Sequence, residues 1–404
     1  MKPFHTLALG ALVSALAGCG GSDSDNASGT PQPQPPAQPV TLTLSSTTLR
    51  TLPGGAGIAV TAASSGTGTI QWKLADGAPG TLSSTTGTSV TYTPPANGVA
   101  KTTLVPIVAT SGSTSTTLTV AVTPEPGPSG LTLLAGHAAP ESADGVGAAA
   151  SFLYPRRIAA DTAGNVFVLE HYTSRPSLPT PGRLRKIAPD GTVTTLIGGR
   201  DPQRAWFGQA DTANNARRFT EPTSLVVDRT GNFYYGNAYG SGGASSNGGS
   251  SLLKITPTGT LSVLAGVETA ASTGIADGTG SAARFMYPDA VGIDYDDVIY
   301  VQDLNNVARK VTTAGVVTTI SSLPRSLHAD MHGNTYEYDA AARTLVQTSP
   351  SGARKVVAGA PTCDGFKPGP LPGCLPSVQH LIVAGGSTLV LLGDGLVVKL
   401  VLPH

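Results

Sequence analysis

Ala143-Asp-Gly-Val-Gly-Ala-Ala-Ala-Ser-Phe152, with Pro155 close behind, returns as Ala276-Asp-Gly-Thr-Gly-Ser-Ala-Ala-Arg-Phe285 with Pro288, and in a worn form from Asp211 to Phe219 with Pro222. A phrase recurring at long intervals marks copies of one structural unit, so the fold is read from what separates the copies. After the phrase comes a short apolar run ending in Asp, a Gly-Asn turn and a second run: Ile158 to Asp161 with Gly164-Asn165, Leu225 to Asp228 with Gly231-Asn232, and Leu327 to Asp330 with Gly333-Asn334. Val291 to Asp294 begins another copy, whose turn reads Asp296-Asp297. A third run closes on lysine plus an aliphatic residue at Lys186-Ile187, Lys254-Ile255, Lys310-Val311 and Lys399-Leu400, with Gln347 breaking the pattern in the fourth copy. A fourth run follows Gly191, Gly259, Gly315 and Gly352 and often finishes on Ala-Gly, as at Ala265-Gly266 and Ala358-Gly359. Four short strands per unit predict a blade, and blades set radially around a channel make a propeller.

The last copy runs from Leu381 to Leu400 and stops after its third strand, whereas Leu131 to Gly136 is a fourth strand lying before the first copy. Joining the two closes the ring and removes an open sheet edge. The expected count is five blades, or six if one is hidden in the long connections. These phrases and their strand pattern resemble NHL repeats, and the resemblance implies an NHL-type β-propeller over residues 131–404.

Between Val40 and Thr123, alternating runs such as Gly57 to Thr61, Thr69 to Lys73 and Thr117 to Val122 are separated by turn residues, the pattern of an antiparallel β-sandwich with Trp72 as its central candidate. The stretch Trp72-Lys-Leu, Gly80-Thr-Leu-Ser and Val90-Thr-Tyr-Thr-Pro-Pro95 resembles bacterial Ig-like domains, which implies a spacer; residues 124–130 then form a linker. The whole chain reads as all-β, an N-terminal Ig-like β-sandwich followed by an NHL-type β-propeller. Gly at 50, Pro at 32 and charged residues at only 12% of 404 agree with many short strands and turns.

Ahead of the sandwich, Lys2 precedes an apolar run from Thr6 to Ala17, too short to span a bilayer. Leu16-Ala-Gly-Cys19 resembles the lipobox of bacterial lipoproteins, which implies cleavage after residue 18 and a lipid on Cys19. Residues 20–39 have almost no apolar side chains and predict a disordered tether. The resemblance implies a bacterial cell envelope protein anchored by its lipid, and Gly20 in place of Asp points to the outer membrane.

Lys plus Arg at 25 cancel Asp plus Glu at 25, so no basic excess supports a nucleic-acid partner. Neither a Gly-x-Ser-x-Gly elbow nor a phosphate loop occurs, and no cofactor is expected. The aspartates before the turns predict acceptors for turn amides rather than metal ligands. Cys363 and Cys374 flank a Pro- and Gly-rich loop and form an even pair once Cys19 carries lipid, predicting a disulfide. Loops on one face of the ring are long, at His171 to Arg183, Ala238 to Ser250 and Gly199 to Phe219, and long loops on one face mark a binding face. Its candidate rim residues are Arg156, Arg157, Glu170, His171, Asn237, Asp289, Asp303 and Arg325. The expected function is a lipid-anchored binding or scaffold protein for a protein, peptide or glycan ligand. The alternative is a propeller lyase or lactonase, in which His171, His328 and His380 converge on a metal.

Overall fold

The computed structural model describes residues 40–46, 48–125, 127–138, 141–170, 183–197, 224–238, 250–267, 274–324, 327–330 and 332–403. Among them the chain is all-β: seven sheets joined by turns and single 3-10 turns such as Gly147–Ala149 and Gly280–Ala282. No described helix is long and apolar enough to cross a membrane.

The first two sheets belong to one N-terminal module. Leu42–Leu44, Ile58–Ser64, Ser89–Thr93 and Thr81–Leu82 pair in that order, and Thr48–Thr51, Thr114–Val122, Thr103–Ser111 and Gln71–Leu74 form the second sheet. Alternation in Ser89–Thr93 buries Val90 and Tyr92 and leaves Ser89 and Thr93 outside, and the buried faces of both sheets meet around Trp72, Val105, Ile107, Leu118 and Val120. Trp72 satisfies its indole by donating to the Gly87 carbonyl at 2.7 Å. Tyr92, its hydroxyl on the Pro79 carbonyl at 2.8 Å, has its pKa pushed up to about 12 by burial.

The other five sheets repeat one plan, an antiparallel meander numbered here from first to fifth. The first holds Pro155–Ala160, Val166–Glu170, Arg183–Ile187 and Thr192–Ile197; the second Val226–Val227, Phe233–Ala238, Ser250–Ile255 and Leu261–Gly266; the third Asp289–Ile293, Ile299–Asp303, Val307–Val311 and Val316–Ile320. The fourth has Thr335–Asp339, Thr344–Thr348 and Arg354–Gly359, with Ala329 bridged to Thr335 where the others have a first strand. The fifth joins both ends of the region: Val378–Gly385, Thr388–Gly393 and Leu396–Val401 are completed by Gly130–Gly136, in register from Leu396 opposite Gly136 to Val401 opposite Gly130. Gly130 is thus a strand residue and not linker.

Four pairs of these sheets share their cores. Phe167 and Leu184 of the first meet Phe233 and Leu253 of the second, Tyr234 and Leu252 meet Ile299 and Val301 of the third, and Leu345 and Ala358 of the fourth meet Leu389 and Leu400 of the fifth. The fifth sheet also meets the first, where Val390 and Val397 pack on Ile158 and Val168. Each large side chain fully buried in these seams contributes roughly 1.5–3 kcal/mol. The Ala-Gly that ends many fourth strands has a steric reason. Gly136, Gly266 and Gly359 all have φ between 81° and 102°, and a Cβ there would run into the carbonyls of Gly395, Ser250 and Arg343.

Cys363 and Cys374 are joined in a disulfide with Cα atoms 5.4 Å apart. Their loop connects the fourth and fifth sheets and reaches the closing strand: Leu131 N–H donates to Gly369 at 2.8 Å, and Gly369 N–H returns to Leu131 at 2.9 Å.

Candidate functional site

The four aspartates before the turns are structural. Asp161 Oδ1 accepts from the amides of Ala163 and Asn165, both at 2.9 Å, and Asp228 and Asp330 do the same for Thr230 and Asn232 and for His332 and Asn334. Their second oxygens take the asparagine side chain at 2.7–2.8 Å. Asp294 holds Asp296 and Val298 in the same way, although its turn lacks the asparagine. Burial raises the Asp294 pKa above the ordinary range, whereas in Asp228 the same burial is outweighed by Asn232, Tyr234 and the turn amides, and the pKa falls.

The connecting phrase is explained by two buried arginines. Arg185, wholly buried, donates to Ser142 Oγ at 2.6 Å, Asp144 Oδ1 at 2.7 Å, the Ser151 carbonyl at 3.1 Å and Glu170 Oε1 at 3.1 Å, with the Phe152 ring 5.4 Å from its guanidinium. Arg309 repeats this in the third sheet with Asp277 at 2.9 Å, the carbonyls of Ala276 and Arg284 at 2.6 Å, Asp303 at 3.5 Å and the Phe285 ring at 4.9 Å. Asp144 and Asp277 also accept from the amide and hydroxyl of Thr195 and Thr319. Burial acts upward on both carboxyls, but these bonds and the arginines bring them below the usual aspartate range. In Glu170 burial wins, and the pKa is raised despite Arg185, Ser142 and the Leu153 amide.

Glu170 and Asp303 therefore do not rim an opening. Both are 3% exposed, and Asp303 Oδ1 holds the amides of Met286, Tyr287 and Leu304 at 2.7–3.0 Å. Their burial follows from ion pairing with the next strand, which assigns them to the scaffold. The repeated Arg-Lys at Arg185-Lys186 and Arg309-Lys310 carried the signal that sequence reading passed over.

Arg157 and Asp289 stand elsewhere, in the wall of a cavity of about 340 Å³. The first strands of the first, second, third and fifth sheets and residues Leu327 and His328 ahead of the fourth all contribute to it, through apolar groups such as Ile158, Leu225, Ile293 and Ile382. Arg157, His380, His328 and Asp289 all belong to this lining. Burial drives the His380 pKa down to about 4, helped by Arg157 and His328, and burial lowers His328 against the opposing charge of Asp289. His380 Nδ1 accepts the Ile158 amide at 3.3 Å, which in the neutral ring puts the proton on Nε2. That tautomer offers a donor to the cavity and no lone pair to a metal, so His380 does not fit the convergent metal site. Among the described residues no group of three metal-ligating side chains comes together.

Arg156 is exposed beside Arg157, which donates to the Arg156 carbonyl at 3.0 Å. Asn237 lies in its strand, and nothing is described of its side chain; His171, Arg325 and Cys19 fall outside the described residues. Among the cavity residues that sequence reading missed are Arg50 and Thr102 of the N-terminal module, for which local sequence holds no cue.

Neither a protein-family model nor a curated protein sequence matches the chain. Among solved structures it is similar to a structural-genomics protein of unknown function from Bacteroides thetaiotaomicron, at 16% identity over 91% of this chain and 99% of that one, with a TM-score of 0.31. A putative phosphatase from the same organism aligns at 14% identity over 91% and 98% of the two chains, with a TM-score of 0.27. A DUF4623 family protein from Bacteroides eggerthii aligns at 14% over 82% and 68%, also at 0.27. Scores this low establish neither fold nor activity.

Proposed function

We propose that this chain is an envelope lipoprotein whose five repeating sheets are the blades of an NHL-type propeller and whose central cavity binds a ligand. The observation that carries the reading is a single cavity walled by the first strands of the first, second, third and fifth sheets and by Leu327 and His328 ahead of the fourth, with Arg157, His380, His328 and Asp289 in its lining. Apolar walls with a few converging polar groups, in a volume near the lower end of the ligand-pocket range, are the features of a small-ligand or ligand-end site. Arg157 supplies a cation and His380 a neutral N–H donor, which together suit an anionic group on a peptide, glycan or protein partner. In this reading the N-terminal module is Ig-like, Cys19 carries the lipid and residues 20–39 tether the folded part to the outer membrane.

Two measurements test the two halves. Cys19→Ala should end fatty-acid labelling and release the protein from membranes; a variant that still labels and sediments with membranes sinks the anchor. A thermal-shift screen of anionic peptides and glycans against the full chain should yield a stabilising ligand whose effect disappears in Arg157→Ala. Stabilisation equal in parent and variant places binding away from the cavity.

A further inference from the structure

The module over residues 40–123 reads in sequence as a spacer, yet its contacts are those of a stopper. Arg50 and Thr102 stand in the cavity wall, at the end where the sheets make their aspartate turns. Arg50 donates through Nη1 to the Ala329 carbonyl beside the fourth sheet at 3.2 Å, and its guanidinium lies over the Tyr295 ring of the third sheet at 5.3 Å. Thr119 donates its hydroxyl to Asp296 in that same turn at 2.6 Å. The Thr102 amide donates to the Thr162 carbonyl of the first sheet at 3.2 Å. At the end of the first strand of the fifth sheet, the side chains of Thr123 and Leu52 lie against Gly385 and Gly386, close enough that a side-chain carbon added at either glycine would meet them in van der Waals contact at 3.5 Å. A tethered spacer needs one point of attachment; this module touches four of the five turn ends.

We infer that the N-terminal module is the floor of the cavity, with Arg50 at its centre, and that the site is a blind pocket that receives the end of a ligand from the Arg157 side. An open channel could thread a polymer through the ring. A floored one admits a terminal group only, with its apolar part against Ile158, Leu225 and Ile293 and its anionic part at Arg157. What enters rests on the binding reading above; the floor does not. Because the module supplies part of the wall, its docking and ligand binding are coupled, each strengthening the other by the same factor.

Thr162→Cys, close to isosteric, puts a thiol beside the Thr102 contact while leaving the backbone carbonyl of that position in place. In the full chain, modification of this thiol by a maleimide bearing a long polyethylene glycol chain is followed by peptide mass spectrometry, with Ser351→Cys on an exposed turn as control. Adding Arg50→Ala and Thr119→Ala should speed modification at position 162 by about tenfold or more while the rate at position 351 stays unchanged. Equal rates at position 162 with and without the two alanines, in a folded protein, overturn the floor. If the variant carrying both alanines loses its thermal transition, Asp296→Ala breaks the Thr119 contact alone and must still raise the rate; no rise there overturns the floor as well. A persistent rate contrast with no ligand in any screen sinks the binding reading and leaves the floor standing.

Discussion

The third and fifth sheets have the same four-strand plan and are secured by opposite chemistry. In the third, strands contiguous in the chain are stitched by Arg309, which gathers Asp277, Asp303 and two carbonyls beneath the Phe285 ring. In the fifth, the position before the strand-three lysine is Val398, wholly buried among Leu131, Leu345, Leu391 and Leu400. There the sheet is completed by a strand from the other end of the region, held by the disulfide loop at Gly369. One unit therefore tolerates either an ionic or an apolar and covalent fastening.

The largest effect should come from cutting the fifth sheet's fastening. Deleting residues 131–136 exposes the backbone edge of Leu396–Val401, and cooperative unfolding should give way to a broad transition with aggregation in light scattering. A deletion variant that melts as sharply as the parent would show that the strand is dispensable.

The ionic fastening comes next. Arg309→Met leaves Asp303 buried and unpaired, and equilibrium denaturation should register a loss of about 3–5 kcal/mol. Val398→Met at the matching place in the fifth sheet, which overpacks a wholly buried site, should cost about 1–3 kcal/mol, less than the loss of Arg309. Arg309→Met with Asp303→Asn should recover part of the loss, since the amide oxygen can still accept from Met286 and Leu304. The contrast between the sheets breaks if the two methionine variants are equally stable.

Replacing Cys363 and Cys374 together by Ala should cost about 2–4 kcal/mol under oxidising conditions. In hydrogen exchange the loss of protection should concentrate at Leu131 and its neighbours and spare the third sheet; uniform loss would separate the loop from closure.

The smallest effect lies at His380, in the first strand of the fifth sheet. Its folded pKa of about 4 lies below the ordinary value of 6.5, so between the two the unfolded chain binds the extra proton. Its contribution is whole above about pH 6.5 and fades as the pH falls toward 4. Melting temperature measured across that window should drop less steeply in His380→Gln than in the parent. Parallel curves would refute a buried neutral imidazole.

What the sequence made legible was whatever repeats locally. Asp161, Asp228 and Asp330 sit four residues before the asparagines they hold, so the turn and its purpose are written together. The strand at Leu131 to Gly136 stood out because it resembles Leu261–Gly266 and has no partner nearby. Glu170 and Asp303 were misread because a charge at a strand end looks solvated until Arg185 and Arg309, one strand further on, are seen to turn inward. Arg50 was beyond sequence reasoning altogether: the carbonyl it meets lies 279 residues away, and no periodicity links the two.

The pairing of Gly130–Gly136 with Leu396–Val401 also fixes when this region can become itself. During synthesis the closing strand is made first and waits, unpaired, until the last strand of the fifth sheet has been built. Contacts that span nearly the whole region are slow to form, because chain entropy is lost before any pairing compensates it. Until then an apolar strand bearing Leu131, Leu133 and Leu134 offers its edge to any neighbour. The same arrangement works as a completeness check: a chain truncated before Leu396 leaves that strand without its partner.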